Sequence, residues 1–76
     1  MGEARNSWKG LLDKAIASRK EALRVDPNYA EAHYHLAVDY YFKGAYYSAI
    51  EHCAKAIRLG YKDIEPAFLK HLEAFK

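Results

Sequence analysis

The chain repeats itself at a spacing of 34 residues, and nothing else in it constrains the fold as tightly. Gly10 falls on Gly44 (44 − 10 = 34), and the same shift pairs Lys9 with Lys43, Ala15 with Ala49, Ile16 with Ile50, Ala22 with Ala56 and Arg24 with Arg58. Trp8 and Phe42, Leu23 and Ile57, and Val25 and Leu59 preserve size at the matched positions. A recurring unit of this length is a supersecondary element that cannot cover its own apolar face, so it stacks on its copies. Each copy reads as an amphipathic helix. Tyr46, Ala49, Ile50, Cys53, Ala56 and Ile57 keep three-and-four spacing throughout, and Leu12, Ala15, Ile16, Arg19, Ala22 and Leu23 do so with Arg19 as the one polar break.

Helix punctuation falls around the copies. Gly10 and Gly44 precede them, where a tight helix-to-helix turn needs a positive φ. Pro27 stops the first helix, and Asn28 with Glu31 three residues on offers a box-like N-cap for the next. Gly60 ends the third helix, Asp63 is placed to cap a fourth, and Pro66 is tolerated in its first turn. Phe68, Leu69, Leu72 and Phe75 give that last helix one apolar face. Period-two alternation is absent, so no strand competes. The pattern predicts an all-α, antiparallel helix-turn-helix stack, an α-solenoid fragment of about four helices over 8–25, 30–43, 46–59 and 64–75, within one domain spanning 1–76.

The segment AEAHYHLAVDYYFKGAYYSAIEHCAKAIRL resembles a tetratricopeptide repeat (TPR). Leu36-Ala37 stands where the family has Leu followed by Gly or Ala. Tyr40, Gly44, Tyr46, Ala49 and Ala56 match its tyrosine, turn glycine, aromatic and two small residues, and Asp26-Pro27 matches the repeat-ending Asp-Pro of a preceding unit. The resemblance covers one full repeat, 30–63, and the second helix of a repeat before it. The final segment lacks a Leu-Gly-like pair in register and resembles the capping helix of such arrays. The resemblance implies a right-handed stack of helix pairs whose first helices line a concave, partner-binding groove. His35 and Val38 stand where some members place asparagines that hold a C-terminal carboxylate, which counts against that type of recognition.

The stretch HYHLAVDYYFKG holds more apolar surface than one core uses. His33, Leu36, Ala37 and Tyr40 form one stripe, facing the helix at 46–59. Tyr34, Val38 and Tyr41 form a second, with Glu31 and His35 beside it, and by resemblance this is the expected partner-binding groove. The alternative is that a flanking helix of the same chain covers it.

Other chemistries find little support. Among His33, His35, His52, His71 and Cys53 no recognised zinc spacing occurs, and residues two apart on a helix do not share an ion. Cys53 is expected to be a buried apolar residue, His33 partly buried and the other histidines solvated. No phosphate loop or catalytic constellation is present, so an enzyme is not expected and no cofactor is called for. Net charge is +2 with the signs interspersed, and Asp13 and Glu21 dilute the basic residues Lys14, Arg19, Lys20 and Arg24. Neither nucleic acid nor an anionic membrane is implied. No run is long enough to span a bilayer, and no apolar signal core opens the sequence, so a cytoplasmic setting is the default. The expected function is binding of a protein or peptide segment. Two alternatives stay open: self-association by repeat stacking or helix exchange, and a fragment of a longer array.

Overall fold

The computed structural model describes residues 2–74, with side chains from Lys9 to Ala74. The described residues form four α-helices and no strand: α1 Gly2–Val25, α2 Ala30–Lys43, α3 Tyr46–Arg58 and α4 Pro66–Glu73. α1 packs on α2, α2 on α3, and α3 on α4. Sequential helices run antiparallel. Arg19 reaches Asp39 while Asp13 reaches Lys43, and His33 meets His52 while Tyr41 meets Tyr46. The smallest dimension is 19 Å, which is two helix diameters.

Two glycines make the turns. Gly44 has φ 91°, its N–H donates to the Tyr41 carbonyl and the Ala45 N–H to the Tyr40 carbonyl. Gly60 has φ 94°, and the N–H groups of Gly60 and Tyr61 close on Ile57 and Ala56 in the same pattern. Both are Schellman closures, which satisfy carbonyls left orphaned at a helix end.

Gly10 departs from the expectation that it makes an equivalent turn. It lies inside α1, which begins at Gly2 rather than near residue 8. Continuing the helix gives the preceding residues their backbone bonds, and that outweighs the roughly 1 kcal/mol cost of a helical glycine. Nothing lies within 4 Å of a Cβ added there. Gly10→Ala is therefore expected to stabilise the chain by about 0.5–1 kcal/mol, read as a raised thermal midpoint. A lowered midpoint would mean that Gly10 turns after all.

The caps also differ from expectation. The residue capping α2 is Tyr29, without a side-chain bond, because Asp26 Oδ1 accepts the Asn28 N–H at 3.2 Å and holds Asn28 within the turn. Glu31 accepts from the Tyr29 hydroxyl at 3.2 Å instead of closing a box. α4 starts at Pro66, not at 64, because proline disfavours helical geometry in the residue before it, and Glu65 is extended (φ −62°, ψ 121°). Asp63 lies outside that cap. The expected roles of Trp8 and Phe75 fall outside the described side chains.

The core lies where three-and-four spacing puts it. Leu36, Ala37, Ala49 and Ala56 are fully buried, joined by Cys53 and by Leu72 from α4. Tyr40, Tyr41, Ile50, Ile64, Phe68 and Leu69 pack around this cluster.

Candidate interaction surface

The five residues expected to form one groove divide between two surfaces. Tyr34 stacks on Tyr61 (5.0 Å between ring centres, 28° between planes) and meets the Phe68 ring edge-on at 5.9 Å. Its hydroxyl accepts the Glu65 N–H at 3.3 Å. Tyr41 meets the same Phe68 ring edge-on at 5.4 Å. The turn before α4, and α4 itself, thus lie over these two tyrosines. Val38 shares their flank by spacing and is half-buried. Glu31 and His35 face the other way, toward α1, where His35 Nδ1 is 3.4 Å from an Arg19 guanidinium nitrogen.

Between α1 and α2 lies an open cleft of about 520 Å³. Lys14, Ala15, Ser18, Arg19 and Ala22 line it from α1, and Glu31, Ala32 and His35 from α2, with Tyr29 at one end. Arg19 is the break in the first repeat copy, and its role is a cross-helix ion pair with Asp39 at 3.0 Å. Burial pushes the Asp39 carboxyl up, and this outweighs the downward pull of Arg19 and His35. A pair on these terms fixes how two helices align more than it adds net stability. At the far end of the helix pair Lys43 bonds Asp13 at 2.9 Å.

The repeat register identifies what the cleft is. α1 carries two adjacent stripes. Leu12, Ile16, Arg19 and Leu23 are half-buried or buried beside α2. Their counterparts in α3 are Tyr46, Ile50, Cys53 and Ile57, of which the last three adjoin Leu69 and Leu72 of α4. The second stripe of α1 is Leu11, Ala15, Ser18, Ala22 and Val25. A shift of 34 turns it into Ala45, Ala49, His52, Ala56 and Leu59. In α3 this stripe is covered by α2: Ala49 and Ala56 are fully buried and the other three half-buried. In α1 the same stripe is more open: Leu11 is 66% and Val25 75% exposed and Ser18 is exposed, while Ala15 and Ala22 are half-buried. α2 thus has its seat on this stripe of α3, and the counterpart stripe on α1 has no such cover among the described residues.

Two histidines close the filled seat. His33, 8% exposed, has Nε2 2.9 Å from the Pro27 carbonyl and Nδ1 3.1 Å from His52 Nδ1. A carbonyl only accepts, so the Nε2–H of His33 donates to it; with both rings neutral, His33 Nδ1 is then bare and His52 Nδ1–H donates to that nitrogen. His52 also stacks on Tyr40 at 5.5 Å. This corrects the expectation of solvated histidines. His52 and His35 are half-buried and bonded, His71 alone is exposed, and His33 meets His52. No sequence signal marks the pair, because its members lie on different helices. Among the described residues no three metal-ligating side chains converge.

The buried setting of His52 is expected to make stability depend on pH. Burial lowers the His52 pKa below its ordinary value, and the charges of His33 and Lys20 lower it further, against an opposing pull from Glu51. Between the folded and unfolded pKa values the unfolded chain binds more protons. The contribution is therefore complete above about pH 6.5 and lost as pH falls through the lowered value. The thermal midpoint is expected to hold from pH 8 to 7 and to fall below about pH 6. His52→Gln should flatten that fall, and an unchanged slope in the variant would remove His52 as its source.

Residues 9–44 match a family model described as TPR repeat, and the match overlaps the full repeat expected at 30–63 only over 30–44. The matched segment takes in both walls of the cleft and ends at the Gly44 turn. Among curated proteins and among solved structures no match to the chain is found.

Proposed function

We propose, from the premise that this all-α chain is a TPR-like helical stack, that it is a non-enzymatic module docking a helical segment of a protein partner. Repeats of this family are generally protein–protein interaction modules. The observation that supports the cleft as the docking face is its match to the α2 seat on α3. An apolar floor of Ala15 and Ala22, which the repeat register equates with the buried Ala49 and Ala56, lies open beside Glu31 and His35. Small side chains there let a guest helix approach closely, and the flanking polar groups orient it. Tyr34, Val38 and Tyr41 serve as the seat of α4 on this reading. No described helix is long and apolar enough to cross a membrane, and the partner is protein rather than lipid.

The test is selection of helical peptides against the chain, followed by titration of the recovered peptides. Ser18 is exposed and lines the cleft without entering the core. Ser18→Trp fills the cleft and is expected to weaken binding about tenfold or more, equivalent to at least ~1.4 kcal/mol. Full binding by folded Ser18→Trp, with loss in Tyr34→Ala/Tyr41→Ala, would move the docking face to the aromatic flank.

A further inference from the structure

We propose that the occupant of the open α1 stripe is α1 of a second copy of this chain, lying antiparallel across a two-fold axis near Ser18. The proposal rests on the cleft reading above and names its partner. Leu11, Ala15, Ser18, Ala22 and Val25 are spaced four, three, four and three, the seam of a two-helix coiled coil. The stripe is palindromic in size about its centre. Reversed on itself, it sets Leu11 against Val25 of the second copy, Ala15 against Ala22, and Ser18 against Ser18. The two large exposed residues at its ends thus cover each other, and the three small ones let the backbones approach.

The flanking charges match the same arrangement. Lys14 and Glu21 lie seven residues apart on the edge of the stripe that turns away from the Leu12–Ile16 flank. In an antiparallel pair like edges meet, so Lys14 faces Glu21 of the second copy, and symmetry supplies the pair twice. Arg24 binds Glu21 through Oε2 in both of its bonds. A parallel alignment would instead set Ser18 beside Ser18 with Leu11 on Leu11, and it would place no opposite charges across that edge.

The other helix of this chain with the right register is a poor guest. A shift of 34 places Ala67, Lys70, His71 and Ala74 of α4 where α2 has His33, Leu36, Ala37 and Tyr40. These four residues are exposed and line one surface hollow. Seating them in the cleft would bury Lys70 and His71 and bring Lys70 toward Lys14, a like charge, with Glu31 on the opposite wall. Head-to-tail stacking through α4 is disfavoured, and the closed two-fold pair is favoured over an open filament.

Sedimentation equilibrium across the micromolar-to-millimolar range tests this with four chains: the native one, Lys14→Glu, Lys14→Glu/Glu21→Lys, and Ser18→Glu. The native chain should pass from monomer to dimer mass. Lys14→Glu sets like charges face to face twice and should weaken the dimer about tenfold. The double swap should restore it, and Ser18→Glu, which puts two carboxylates on the axis, should abolish it. The three substituted positions are exposed, and far-UV circular dichroism confirms that each chain is folded. A monomer at every concentration, or a dimer indifferent to these substitutions, overturns the proposal. If the native chain stays monomeric while Ser18→Trp still loses selected peptides, the cleft reading survives and the self-pairing does not.

Discussion

Leu36→Ala is expected to remove about 2–5 kcal/mol, the range for deleting buried methylenes and leaving a partly relaxed cavity. Leu36 is the largest fully buried side chain, and it lies in the middle of α2. A small single core without a disulfide supplies only roughly 3–5 kcal/mol in total, and the lone cysteine leaves no such staple. The variant should therefore be largely unfolded at 25 °C, seen as loss of helical circular dichroism before any urea is added. A cooperative melt within a few degrees of the native one would mean that α2 is held elsewhere.

Ala49→Leu tests the opposite error of packing. Ala49 is fully exposed to its neighbours and to no solvent, beside Ala37 and Cys53 in the same cluster. Three added carbons have no vacant volume to enter, so the helices must separate or the side chain must leave its preferred rotamer, at about 1–3 kcal/mol. Leucine is nearly as good a helix former as alanine. If Ala49 were present only for helix propensity, the change would be close to neutral. A lowered urea midpoint with an unchanged dependence on urea concentration separates the two accounts.

Much of the fold is legible because it rests on local signals. α2 has the bounds its spacing predicts, since Pro27 and Gly44 punctuate both ends. α3 ends within one residue of expectation, at Arg58 with Leu59 as its cap. Ala37, Ala49 and Ala56 were placed inside by the three-and-four pattern, and all are fully buried. What escaped the sequence depends on choices between competing bonds. Gly10 has the same residue type and register as Gly44, yet it is helical, because whether a glycine turns depends on what the preceding segment gains by folding back. Asn28 lost the cap position to Tyr29 because Asp26 took its N–H first.

The candidate site was legible only as chemistry, not as geometry. The second stripe on α2 reads correctly as surplus apolar surface, but spacing on one helix does not say which neighbour covers it. Phe68 and Tyr61 do so for Tyr34, and both lie more than twenty-five residues downstream. Arg19 reads as an anomaly in α1 and becomes intelligible only beside Asp39. The His33–His52 bond belongs to the same class of cross-helix facts.

On the proposed reading one helix seat occurs twice in this chain, filled on α3 and open on α1. Thiol labelling of Ala22→Cys and Ala56→Cys, each in a Cys53→Ala background, compares the two seats at equivalent positions. Cys at position 56 should resist labelling at every protein concentration. Cys at position 22 should label rapidly in dilute solution and gain protection as the concentration rises. Equal resistance at both positions in dilute solution, or labelling at 22 that never slows, would contradict that reading.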